Sequence, residues 1–146
     1  MAKDFSQILP DARAFDAKLI GGLRHAVGHT VVTTVAKARS QHRWRDRTGF
    51  TRESIDGNIR DLKKGARGHV WAGANAVRLN AGTSPHRIEA KNGKALRFMV
   101  GGSAVFRRAV NHPGTAPDPF LTAAEMYAED EIYTAAMAAL DDALGV

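Results

Sequence analysis

The chain has 146 residues, of which 44% are hydrophobic and 25% charged, and this composition predicts a single globular domain over residues 1–146. It contains no cysteine, which excludes disulfides, thiolate metal sites and a cysteine nucleophile. The net charge of +6 is unevenly distributed: residues 1–116 carry all 21 Lys and Arg against 8 acids, whereas residues 117–146 carry 7 acids and neither Lys nor Arg. The sequence shows no membrane-length apolar run and no apolar leader, so we expect a soluble, unprocessed chain.

The N-terminal part predicts a long amphipathic helix from about residue 10 to residue 38. Apolar residues recur there at spacings of three and four, beginning with Phe15, Leu19 and Leu23, and this spacing places them on one face of a helix. Gly21, Gly22 and several β-branched residues lower its intrinsic stability. The helix therefore needs packing partners to persist.

The C-terminal part predicts a second helix, with Asp118 as its cap, Pro119 in its first turn and Gly145 after its last apolar residue. Its apolar positions are rich in alanine, which would let another element approach closely. The acidic run at residues 129–131 lies in the middle of this helix and is expected to face solvent or a basic partner.

Between the helices, short runs rich in β-formers predict strands at residues 54–62, 69–73, 95–100 and 105–110. Asn92-Gly93 predicts a hairpin that joins residues 88–90 to 96–98, and Gly101-Gly102 predicts a second turn. Residues 63–68 read as a flexible basic loop. The sequence thus indicates an α+β fold: a long N-terminal helix, an antiparallel sheet of about four strands, and a C-terminal helix packed on the sheet.

We find no catalytic constellation in the sequence. It contains no Gly-x-Ser-x-Gly elbow, no phosphate-binding glycine loop and no metal-binding histidine motif. His25 and His29 have the spacing of two metal ligands on a helix, but they lack a third ligand and a nearby general base, so surface or subunit-contact histidines are the simpler interpretation. We therefore predict no enzymatic activity, no cofactor and no metal site.

The basic stretch of residues 39–47 is the best candidate for contact with nucleic acid. Its cations suit phosphates, and Trp44 is able to stack on a base. The alternative is structural, because cations at the end of a helix meet its negative dipole and the tryptophan can cover the edge of the core. Both interpretations remain open at this stage.

The order of the motifs resembles one protein family over roughly residues 10–145. The motifs are Thr48-Gly49-Phe50-Thr51-Arg52-Glu53-Ser54-Ile55, Gly82-Thr83-Ser84-Pro85-His86, Leu96-Arg97-Phe98, His112-Pro113-Gly114-Thr115 and Pro119-Phe120-Leu121. In this combination the chain resembles the tail-completion, or head-tail joining, proteins of long-tailed bacteriophages and prophages. It departs from their pattern at Phe50, where leucine is usual, and at residues 76–80, which replace a Tyr-Ala pair and a glutamate.

The resemblance implies a structural virion protein that forms a ring, sixfold in this family, at the head-tail junction after assembly in the host cytoplasm. Its implied partners are further copies of itself, a tail terminator, a head-closure or adaptor protein, and double-stranded DNA that passes through the ring without sequence-specific recognition. No membrane partner is expected. The alternative function is a stand-alone basic nucleic-acid-binding protein.

Ring formation requires two different complementary faces on each subunit. We hypothesise that Arg and Lys of residues 39–67 contact acids of residues 125–142 in a neighbouring copy or ring, and that residues 43–48, 63–68 and 112–117 become ordered on docking. The candidate assembly or DNA-channel residues are Arg39, Arg43, Trp44, Arg45, Arg47, Lys63, Lys64, Arg67, His112, Glu129, Asp130 and Glu131.

Overall fold

A computed structural model of the chain describes the backbone of residues 5–146 and the side chains of residues 11–146. The elements in chain order are α1 (Phe5–Ser40), α2 (Phe50–Glu53), β1 (Asp56–Leu62), β2 (Gly65–Trp71), α3 (Ala74–Ala81), β3 (His86–Glu89), β4 (Leu96–Val100), β5 (Ser103–Arg107), β6 (Ala109–His112) and α4 (Phe120–Leu144). The α+β class and both long terminal helices are confirmed. Within the described residues, no helix has the length and apolar character needed to cross a membrane.

Helices α1 and α4 pack against each other in antiparallel orientation. The Lys18 ammonium lies 3.1 Å from the Asp142 carboxylate, while the opposite ends of the two helices meet where Ala38 and Ala124 are buried in the same cluster. Small residues allow this approach: a Cβ added at Gly22 would lie 2.7 Å from the Cβ of Ala139. The predicted alanine-rich stripe is therefore the surface that α1 contacts.

The hairpin of β1 and β2 packs on α1, whereas the sequence predicted that the C-terminal helix would cover the sheet. A Cβ added at Gly57 or at Gly68 would come within 2.8 Å of the Val31 side chain, so glycine is needed for this contact. Arg24 of α1 holds the end of the hairpin by donating from Nε to the Gly65 carbonyl (3.1 Å) and from Nη2 to the Leu62 carbonyl (2.8 Å). Helix α1 thus lies between α4 and this hairpin.

The strands form three separate two-stranded antiparallel sheets within residues 5–146, not one sheet of about four strands. In the first sheet β1 pairs with β2 from Asp56–Trp71 to Leu62–Gly65. The predicted flexible loop at residues 63–68 is therefore a two-residue turn followed by strand. These strands are short and rich in charge and glycine, so they lack the continuous apolar face that stabilises a wider sheet.

The other four strands form one long ribbon, residues 86–112, in which β3 pairs with β6 and β4 pairs with β5. Gly101-Gly102, both at positive φ, close its tip as predicted. Asn92 and Gly93 also have positive φ, but they turn within a loop, residues 91–95, that bulges from one edge of the ribbon. The predicted hairpin across Asn92-Gly93 is wrong because such a dipeptide specifies a turn without specifying which strands pair.

The base of the ribbon is closed by two similar sequences, Gly82-Thr83-Ser84-Pro85 and Gly114-Thr115-Ala116-Pro117. Thr83 and Thr115 form an isolated antiparallel bridge in which each N–H donates to the carbonyl of the other, at 2.9 and 3.0 Å. A Cβ on either glycine would collide with the opposite backbone. The two Gly-Thr segments therefore form a pair of backbone hydrogen bonds, named here the Gly-Thr clasp, that closes the base of the ribbon.

Within residues 11–146 the buried apolar residues are few, and most of them are alanine or valine. They are Ala26, Val31, Val35, Ala38, Ile55, Ala76, Phe120 and Ala124. The main cluster lies where the C-terminal end of α1 meets α3 and the N-terminal end of α4, with Trp44 and Leu79 packed against it. Helix α3, which the sequence did not predict, supplies Ala76 to this cluster.

The adjacent glycines of α1 provide a matched test of the helix pairing. Gly22→Ala should lower the free energy of unfolding by about 1–2 kcal/mol, because overpacking at Ala139 outweighs the better helix propensity of alanine. Gly21→Ala, which meets no atom within 4 Å, should raise stability by about 0.5–1 kcal/mol. Urea denaturation of both variants measures this difference, and equal effects would contradict the close packing.

Candidate assembly and DNA-facing surfaces

The segment after α1 is fixed to the start of α4 by Asp118 and Arg43. Asp118 accepts hydrogen bonds from the Arg43 backbone N–H (2.6 Å) and from Arg43 Nε (3.3 Å). Burial opposes ionisation here, but the hydrogen bonds and charge of Arg43 together hold the pKa of Asp118 below its ordinary value of 3.8. The Asp118 side chain therefore holds the segment after α1 in place, and the prediction that it caps α4 is wrong.

The N-terminus of α4 is capped from another helix, by Asn80 of α3. The Asn80 side-chain oxygen accepts hydrogen bonds from the backbone N–H groups of Leu121 (2.8 Å) and Thr122 (3.3 Å). These N–H groups have no partner within the helix, so the Asn80 side-chain amide caps the helix as an N-cap residue would. The sequence offered no signal for this contact because its two halves lie about forty residues apart.

Trp44 packs on the protein core. Its indole stacks on the His42 ring with centroids 3.8 Å apart and meets the Phe120 ring edge-on at 6.0 Å. This placement agrees with the structural alternative for the basic stretch, since His42 covers one face of the indole. Stacking of a nucleic-acid base on that face would require His42 to move.

The cations of the same stretch divide into paired and exposed groups. Arg39 donates from Nε to the Ile55 carbonyl (2.8 Å) and lies 3.7 Å from the Asp56 carboxylate. Arg43 is bound to Asp118, as described above. Arg45 and Arg47 are exposed and form no ion pair with the described part of the chain.

A second basic surface lies on the outer face of the β1–β2 hairpin. Arg60 and Arg67 are directly opposite in the register, and Lys63 and Lys64 form the turn beside them. Like charges at directly opposed positions reduce the stability of a sheet. An exposed group of cations of this kind has the charge to contact a polyanion, and we name this set, Arg60, Lys63, Lys64 and Arg67, the basic hairpin face.

Aromatic groups continue the basic hairpin face along β2. His69 and Trp71 project from the same side of the strand as Arg67, and their ring centroids lie 5.7 Å apart. The indole is exposed, unlike that of Trp44. Sequence reasoning missed Arg60, His69 and Trp71, which alternation along each strand would have placed on one face with Arg67.

His112 lies at the end of β6, beside the Gly-Thr clasp. Its Nδ1 accepts a hydrogen bond from the Gly114 N–H (3.1 Å), and its ring centroid is 5.1 Å from that of the register partner His86. His112 is half-buried. These contacts hold residues 112–115 against the rest of the chain, and the ordering of residues 112–117 on docking stays a prediction.

The acidic run of α4 faces in more than one direction. Glu131 turns toward α1, with Oε1 3.0 Å from His29 Nδ1, and its hydrogen bond with the Tyr127 hydroxyl raises the pKa of that tyrosine. Glu129 lines a groove beside β2, whereas Asp130 is exposed. Within residues 11–146, no three His, Asp or Glu side chains gather in a metal-binding arrangement.

The chain matches no family model, no curated protein and no solved structure.

The cap from Asn80 leads to a stability prediction. Asn80→Ala should lower the free energy of unfolding by about 1–2 kcal/mol, because the first N–H groups of α4 lose their acceptor. Asn75→Ala, on an exposed position of the same helix, is the matched control and should change stability by less than about 0.5 kcal/mol. Thermal or urea unfolding followed by circular dichroism measures both; equal losses would contradict the capping role.

The lowered pKa of Asp118 predicts a pH-dependent contribution to stability. A carboxylate with a depressed pKa stabilises the folded state above its unfolded pKa, and this contribution is lost as the pH falls through the folded value. The stability difference between the native chain and Asp118→Asn should therefore narrow from about pH 5 to pH 3. The exposed Asp130→Asn is the control, and a difference that widened on acidification would overturn the assignment.

Proposed function

We propose that this chain is a structural virion subunit that forms a ring at the head-tail junction of a long-tailed phage or prophage. In this role it completes the tail and joins it to the head around the DNA exit channel, beside a tail terminator and a head-closure or adaptor protein. The proposal rests on the order of the sequence motifs and on one observation, the large surface that a single chain leaves exposed to solvent.

The exposed area is much greater than a self-sufficient monomer would have. A folded monomer of 15.7 kDa exposes about 7,300 Å² by the usual scaling with mass, whereas this chain exposes 10995 Å². The excess of roughly 3,700 Å² lies within the range of about 2,000–5,000 Å² buried by obligate interfaces. An assembly subunit accounts for this surface, because its contacts with other subunits cover it.

The basic hairpin face supports a role beside DNA. Its four cations form no ion pair with the described residues, and they occupy one exposed surface without a recognition element for base edges. Such a surface contacts phosphates irrespective of sequence. We assign it to the wall of the channel through which double-stranded DNA passes.

Removal of the gene tests the proposed function directly. In the phage or prophage that carries it, deletion should leave filled heads and finished tails that do not join, and supply of the protein in trans should restore complete particles. Electron microscopy and mass spectrometry of purified particles give the result. Complete infectious particles without the protein would overturn the proposal.

The DNA-facing role makes a quantitative prediction. Binding of the purified chain to double-stranded DNA should be weak and independent of sequence, and Arg60→Gln with Arg67→Gln should reduce the slope of log affinity against log salt by up to about 2. Arg13→Gln with Arg78→Gln, exposed cations outside the hairpin, is the control. Tight sequence-specific binding at physiological salt would instead favour the alternative, a stand-alone nucleic-acid-binding protein.

A further inference from the structure

The outer half of the ribbon, β4 and β5, has apolar side chains on both of its faces. Phe98, Val100 and Val105 share one face, whereas Met99 and Phe106 share the other. The exposed fractions are 36% for Phe98 and 57% for each of Met99, Val100 and Phe106. A two-stranded ribbon with apolar residues on both faces is marginally stable in water, so we expect it to be enclosed by another surface.

An open groove of suitable chemistry lies between β2 and α4, with α1 as its floor. Two adjoining cavities of about 370 Å³ each form it. The floor contains Val31 and Thr34, the β2 wall contains Val70, and the α4 wall contains Ala128 and Ile132. The groove exists because α4 and the β1–β2 hairpin contact different sides of α1.

The β2 wall is also an unpaired strand edge. Strand β2 pairs with β1 on one side, and no strand of the described chain pairs on its other side. The hydroxyls of Thr30 and Thr34 are buried in the floor and have no hydrogen-bond partner among the described residues. An extended segment in this groove would find an apolar floor, unused backbone groups and polar atoms that lack partners.

Charge complementarity identifies the ribbon of another copy as the occupant. Residues 90–117 contain no acid, and the ribbon carries Lys91, Lys94, Arg97, Arg107 and Arg108, none of which forms an ion pair within the described residues. Helix α4 contains no basic residue, and Glu125 and Glu129 line the groove. In the single chain the ribbon is exposed and the groove is open, so a second copy of the chain offers each surface its complement.

We propose that the β4–β5 end of the ribbon of one subunit docks in the α1–β2–α4 groove of the next copy of this chain. The contact joins two different surfaces, so its repetition generates a ring when the rotation closes. This proposed contact rests on the proposed ring function, and it identifies the two faces through which neighbouring subunits would bind. In this proposal the basic partner of α4 is residues 96–107 of the neighbouring copy, whereas the sequence-based hypothesis placed it in residues 39–67.

Cysteine cross-linking tests this contact without background, because the native chain contains no cysteine. Val100→Cys and Ala128→Cys in the same chain should yield, on mild oxidation, a ladder of covalent dimers, trimers and higher species. A mixture of chains that carry only one of the two cysteines should stop at a dimer containing one chain of each kind. Dimers of Val100→Cys with itself, or no cross-link in assembled oligomers, would overturn the proposed contact.

Charge exchange provides an independent test in the purified chain. Arg97→Glu with Arg107→Glu should weaken self-association by about tenfold or more, as should Glu125→Arg with Glu129→Arg. The four changes together should restore it, whereas Asp130→Arg, outside the groove on the same helix, should have no effect. Circular dichroism establishes that each variant retains the helical body before association is measured by analytical ultracentrifugation.

The outcomes separate this contact from the proposed function. Oligomers that form normally in all the charge variants would overturn the ribbon contact and leave the ring proposal intact. Loss of DNA binding in Arg97→Glu with Arg107→Glu, without a change in self-association, would assign the ribbon to nucleic acid and also overturn it. Failure of the ring proposal appears in the gene deletion, which does not depend on these residues.

Discussion

The close antiparallel approach of α1 and α4 determines the arrangement of the rest of the molecule. Small residues, above all Gly22 and Ala139, bring the helix axes near each other, and polar contacts such as His29 with Glu131 align them. With α4 on one side of α1, the β1–β2 hairpin packs on another, where Gly57 and Gly68 permit contact. The two neighbours of α1 pack on different sides of it, and the groove between them results directly from this geometry.

The small core makes polar contacts between distant segments important. Few apolar residues are buried in the part of the chain whose side chains are described, and most are alanine or valine, so hydrophobic burial alone provides limited discrimination among alternative arrangements. Asn80 fixes α3 to α4, Asp118 fixes the segment after α1 to α4, and Arg24 fixes the hairpin to α1. Each contact uses hydrogen-bond direction, which specifies relative position more strictly than apolar packing does.

Local patterns predicted the elements better than their partners. The three- and four-residue spacing predicted both long helices, and Gly101-Gly102 predicted the tip of the ribbon, because these features depend on nearby residues. The pairing across Asn92-Gly93 was predicted wrongly, and the cap from Asn80 was not predicted, because both depend on tertiary contacts. The similarity between residues 82–85 and residues 114–117 is visible in the sequence, but only the structure shows that the two segments form hydrogen bonds with each other.

The charge division in the sequence acquires a different meaning once the contacts are known. Arg39 and Arg43 are near carboxylates of the same chain, so the densest basic stretch is partly neutralised internally. The basic hairpin face and the ribbon cations of residues 91–108 have no such partners within the described residues. Unpaired charges on opposed or apolar surfaces reduce the stability of an isolated subunit, and contacts with another molecule would offset this loss. We propose DNA phosphates as the partner of the first set and the acidic groove of a neighbouring copy as the partner of the second.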